Sequence, residues 1–144
     1  MIGEGRSVVL NICAPDKHVP EIEQSIQTGK ERVWSVVSTL PFKTLPELVT
    51  LHAALYCYFW LNFFPPTGGI SQTISPKTVV KGRSVDAKIH CRIPFTSYAQ
   101  VTTKHGPFKN AMVSRTMGGI SLGPAGNVQG TYKFMSLLTG LLVR

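Results

Sequence analysis

The sequence predicts an α+β fold: a strand and two long helices, then a small antiparallel β module. Two features of patterning carry the helices. Ile22, Ile26, Val33, Val37 and Leu40 step at helical intervals, which lays an apolar stripe along one helix face. From Leu48 to Phe64 only Thr50, His52 and Asn62 are clearly polar, as in a helix buried on most sides. The third feature is a change of period. Beyond about residue 95 the chain breaks into short aromatic and aliphatic runs divided by glycine- and proline-bearing turns, the pattern of a small sheet or barrel.

Taken in order, residues 7–13 (SVVLNIC) have the β-branched character of a short buried strand. Pro15, Asp16 and His18 mark the turn that follows. Pro20 suits a first helical position, and Glu21 and Glu23 set negative charge against the positive end of the helix dipole. A helix over 20–39 follows, weakened by Gly29 and ended by Pro41. Pro46 and Glu47 open a second helix, which Pro65, Pro66, Gly68 and Gly69 stop near residue 64. Its apolar run of 17 residues, 48–64, falls short of the about 20 that a membrane span needs, and no basic flank follows it. Burial in a globular core is therefore expected.

Residues 75–82 (SPKTVVKG) read as a helical turn capped by Ser75, with Pro76 at its first position and Gly82 past its end. Strands are expected over 95–101, 119–122, 131–137 and 141–143. The turn at 104–107 divides the first pair, and Thr139 and Gly140 join the last two as a hairpin.

Composition narrows the class. A hydrophobic fraction of 43% against 15% charged residues belongs to a folded chain, because disordered segments are polar and highly charged. Three cysteines (Cys13, Cys57, Cys91) with no CxxC spacing supply neither a disulfide framework nor a zinc knuckle, so free thiols in a reducing compartment are expected. The first residues lack a secretory signal, and a nuclear or cytoplasmic location is expected. Charge is uneven. Residues 1–70 carry five Lys/Arg against six acids, whereas 71–144 carry ten against Asp86 alone, a surplus of +9. Such a half-chain suits a polyanion, nucleic acid being the commonest.

Few residues are spaced for catalysis. Glu21 and Glu23, two apart on a helix, point to different faces and are poor partners for one metal ion. His18 and the His90–Cys91 pair lack metal-ligand spacing. There is no phosphate-binding loop or dinucleotide glycine motif. Phe95, Tyr98, Tyr132 and Phe134 interleave with the basic residues, where aromatics can stack on bases or fill the core.

The stretch HVPEIE from His18 to Glu23, with KERV at 30–33 and LPF at 40–42, resembles the integrase region of copia-type LTR retrotransposon polyproteins. FWLNFFP at 59–65 resembles that family's apolar helix ending in an asparagine-containing turn. SPKTVVKG at 75–82 is similar to its Ser/Thr-Pro helix, and the segment from His90 and Cys91 to Tyr98 resembles the opening strand of its C-terminal module. Arg115 and Thr116, GISLG at 119–123, GTYKF at 130–134 and Thr139–Gly140 resemble the closing strands of an SH3-like barrel. The likeness is collinear over nearly the whole chain.

The resemblance implies that residues 1–86 are the C-terminal portion of an RNase H-like core and 87–144 an SH3-like β-barrel module. In the intact family two aspartates and a glutamate hold Mg²⁺ or Mn²⁺ ions that activate a water or a DNA 3′ hydroxyl. Glu23 matches the glutamate, with Glu21 the weaker register. Asp16 stands too close before Glu23, and Asp86 follows it. Gln24, Gln27 and Trp34 stand where the subtype carries arginine, and Gly29 replaces an apolar residue. The expectation is a non-catalytic remnant without a cofactor of its own. Its partners would be DNA, held weakly and non-specifically, and the missing core or another integrase copy. The expected phosphate contacts are Lys77, Lys81, Arg83, Lys88 and Arg92. An alternative from another class is a small membrane-associated protein anchored by residues 48–64.

Overall fold

A computed structural model describes residues 19–67, 69, 71–84, 86–102 and 114–144. The expected strand at 7–13, the turn bearing Asp16 and His18, and the turn at 104–107 lie outside these residues. The fold is α+β, with four helices and one four-stranded antiparallel sheet among the described residues.

Helix α1 (Pro20–Ser38) begins with proline in its first turn, where the missing N–H would have no helical partner, and with Glu21 and Glu23 facing the dipole. Gly29 is its buried residue. A β-carbon there would collide with the phenol of Tyr58 on the next helix, with Cε1 only 3.1 Å away. The glycine that weakens an isolated helix therefore lets two helices meet closely.

Helix α2 (Glu47–Phe63) buries Val49, His52, Ala53, Cys57 and Phe63, at successive spacings of three, one, four and six. The sequence predicts burial on most sides, but Leu51, Leu55 and Phe64 are exposed. Helix α1, the short helices α3 and α4, and the sheet cover only part of the α2 cylinder. Among the described residues, no helix is long and apolar enough to cross a membrane.

Helix α3 (Pro76–Lys81) forms as the sequence predicts. The Ser75 hydroxyl accepts from the Thr78 N–H at 3.2 Å, and Gly82 closes the turn at φ +65°.

Where the resemblance implies an opening strand at 90–98, the chain makes a short helix, α4 (Ala87–His90), and then bends and turns through residues 91–97. Asp86 explains it, since its carboxylate accepts from the Lys88 N–H at 2.8 Å and caps the turn. The first strand is delayed to β1 (Tyr98–Thr102), followed by β2 (Thr116–Pro124), β3 (Tyr132–Ser136) and β4 (Leu142–Val143). Each pairs antiparallel with the next in the order β1-β2-β3-β4. The sheet is open among the described residues rather than closed into a barrel. The expected hairpin between the last two strands is present, with the Gly140 N–H donating to the Ser136 carbonyl at 2.8 Å.

The core lies where α2 crosses the sheet. Val49 meets Leu122 of β2 and Met135 of β3, flanked by Leu45, Leu48, Phe95 and Ile120, so it draws on both sides of residue 86. Strand β2 carries an irregularity between Ser121 and Gly123, where Gly123 takes φ +95°. A β-carbon there would lie 2.7 Å from the Tyr56 ring, so the bulge seats a ring from α2. Phe95 stacks on the same ring, its centroid 4.9 Å from that of Tyr56.

Tyr132 fastens α4 to the sheet. Its buried hydroxyl accepts from the Arg92 N–H at 2.8 Å and lies 3.3 Å from the Ile89 carbonyl, to which it donates.

Candidate functional site

The turn after α3 and the start of α4 form one wall of a groove of about 340 Å³, and the loop at 126–128 between β2 and β3 forms the other. Lys81 closes α3 and Arg83 follows its Gly82 cap; both are exposed and both line the groove. Asp86, His90 and Asn127 line it as well. Asn127 is committed to its own loop, its side chain donating to the Thr131 hydroxyl at 2.8 Å and accepting from the Thr131 N–H at 2.9 Å. One Asp86 oxygen is held by the α4 cap. Besides the Ser84 hydroxyl, the remaining polar lining is cationic or imidazole.

Lys88 and Arg92 are exposed along α4 and just past it. The Arg92 Nε donates to the Lys88 carbonyl at 3.0 Å, which holds the guanidinium beside the short helix. Lys81, Arg83, Lys88 and Arg92 thus crowd a stretch of 12 residues on two successive helices and their flanks.

Lys77 is placed differently. Its Nζ is buried without a hydrogen-bond partner, 4.2 Å over the Phe59 ring and 5.8 Å from that of Phe63. A cation over an aromatic face recovers about 0.5–2 kcal/mol, less than full hydration would provide. Burial, then the nearby Lys81 charge, push its pKa down. Lys77 is part of the groove wall rather than an outward phosphate contact.

His90 sits behind the same wall. It is 5% exposed, lies edge-on to Phe59 and Phe63 at 5.7 and 5.9 Å, and its Nδ1 has no hydrogen-bond partner. Burial and then Lys77 lower its pKa, against an upward pull from Asp86. The sequence offers His90 only as a neighbour of Cys91. Its place beside Lys77 arises from the α4 turn, and the Asp86 cap was the one signal that could have found it.

The aromatic residues divide. Tyr132 is buried and structural, and Phe95 is packed on Tyr56. Tyr98 on β1 is 64% exposed and is free in position to stack on a base. Cys57 is buried and Cys91 exposed, both as thiols; Cys13 lies outside the described residues.

Glu21 and Glu23 are exposed in the first turn of α1. Among the described residues no three His, Cys, Asp or Glu side chains gather as metal ligands. The described donors alone do not fit the two-ion site that the resemblance implies around Glu23. A larger, mainly apolar groove of about 510 Å³ lies between α1 and α2, lined by Arg32, Cys57, Trp60, Phe64 and Pro66. Sequence patterning gives no sign of it, because it depends on how α1 and α2 lie against each other.

No protein-family model, curated protein or solved structure matches this chain.

Proposed function

We propose that this chain is a non-catalytic, non-specific DNA-binding protein, descended from a copia-type integrase and holding phosphates with its basic C-terminal half. The observation that carries the reading is the crowding of exposed Lys81, Arg83, Lys88 and Arg92 around α3 and α4. Long cationic side chains on two adjacent turns suit a run of phosphates better than a single carboxylate partner. Tyr98 adds an exposed ring for a frayed or single-stranded base.

In this reading the helices α1 and α2 are the end of an RNase H-like core and the sheet derives from an SH3-like module. The collinear motifs from HVPEIE to GTYKF support that ancestry. Glu23 is the one residue matched to the carboxylate set, so strand transfer is not assigned to the chain.

Salt titration on duplex DNA tests the reading. Each neutralised phosphate releases counterion and contributes about −0.9 to the slope of log affinity against log salt. Four contacts predict a slope of roughly −3 to −4. Affinity that stays flat from low to moderate salt refutes it.

A further inference from the structure

We infer that the groove between α3, α4 and the 126–128 loop is a pocket for one phosphoryl group, as carried by inorganic phosphate or a simple phosphomonoester. It goes beyond the duplex surface: it shares Lys81 and Arg83 with it but needs no DNA to be occupied.

Three independent observations meet there. The first is shape. A basic ridge open to solvent contacts a duplex tangentially, whereas this site is a groove between two walls, about 340 Å³ in volume, room for a small anion and part of its ester. The second is charge. Lys77, Lys81 and Arg83 face a single carboxylate, Asp86, which is partly spent on the α4 cap. Arg83 supplies planar, paired N–H donors suited to phosphate oxygens, and Lys81 a mobile point charge.

The third is unspent bonding capacity. Lys77 Nζ and His90 Nδ1 are buried in the groove's own wall without hydrogen-bond partners. Buried polar atoms in folded proteins nearly always have partners, and those that do not call for an explanation. Both already lose charge to burial, and an anion in the groove reverses that loss by favouring their protonated forms. The position of Gly126 shows how thin the wall is: a β-carbon there would lie 3.3 Å from Lys77 Nζ.

Asp86 sets the selectivity. It opposes a second negative charge at its end of the pocket but accepts from a hydroxyl, so a phosphomonoester with a hydroxyl-bearing body fits better than a diphosphate.

The test is ³¹P NMR line broadening and calorimetry on the full chain without DNA, with inorganic phosphate, a nucleoside 5′-monophosphate and the matched nucleoside. Both phosphates should bind in the millimolar range or tighter and compete with each other, while the nucleoside does not bind. Arg83→Gln should weaken phosphate roughly tenfold, the equivalent of one charge-assisted hydrogen bond. Since Arg83 is exposed, the variant should melt as the parent does. Absence of phosphate binding by the folded chain overturns the pocket even if duplex DNA binds. Equal binding of nucleoside and nucleotide, or an affinity unchanged by Arg83→Gln, does the same. Phosphate binding without duplex binding keeps the pocket and removes the DNA reading.

Discussion

Gly29 of α1 and Tyr58 of α2 occupy one space: the phenol of Tyr58 stands where the glycine lacks a side chain. Alanine is intrinsically better than glycine in a helix by about 1 kcal/mol. In the parent, Gly29→Ala should nevertheless destabilise by about 1–2 kcal/mol, because Tyr58 must swing off α1. In a Tyr58→Ala background the same change should stabilise by about 0.5–1 kcal/mol. Urea melts of the four chains check the reversal of sign, and a Gly29→Ala effect of the same sign in both backgrounds refutes it.

Gly123 combines a left-handed backbone, φ +95°, with the Tyr56 ring against its α-carbon. Gly123→Ala should cost at least about 1–2 kcal/mol, and the change in near-ultraviolet circular dichroism should report loss of the Tyr56 and Phe95 packing. A melt within error of the parent counts against this account.

Lys77→Met should leave stability equal or raised by up to about 1 kcal/mol, since a thioether packs on Phe59 without an unpaired buried charge to solvate. It should change duplex affinity less than Arg83→Gln, which should reduce the salt slope by about 0.9. A larger loss from Lys77→Met than from Arg83→Gln reverses the assignment of which lysines and arginines meet DNA.

His52 and His90 are both buried, and burial lowers each below the ordinary 6.5, with Lys133 helping at His52 and Lys77 at His90. Between that value and the lower folded-state pKa values, the unfolded chain binds protons that the native chain refuses. Stability is then intact above about pH 6.5 and falls as the pH drops below it. Thermal midpoints from about pH 7.5 to about pH 5 should show the fall. It should be shallower in His52→Gln and His90→Gln, and an identical pH profile in both variants and parent would argue against the assignment.

Local signals in the sequence were reliable wherever one residue controls one turn. Pro20, Ser75, Gly82 and Gly140 stand at the ends that their chemistry predicts. The four closing runs become strands within a few residues of their expected bounds. The opening strand at 90–98 that the resemblance implies is not formed, because Asp86 caps a helical turn and the chain bends after it. Site placement was harder to read. Lys81, Arg83, Lys88 and Arg92 are exposed as a basic stretch suggests, but Lys77 has the same sequence neighbourhood and is turned onto Phe59 instead. The difference lies in packing between α2 and α3, a contact that no periodicity encodes. Gly29 shows the same limit from the other side, as its helix-weakening character was visible and its partner was not.

The core joins Val49 of the second helix to Leu122 and Met135 near the far end of the chain. During synthesis, therefore, α2 is made long before the strands that cover it. Roughly 70 residues separate Phe63 from Met135, and at about 5–20 residues per second the apolar stripe waits about 4–14 s for its cover. A ribosome stalled within β2 would hold the second helix with Val49 still lacking the Leu122 and Met135 that cover it.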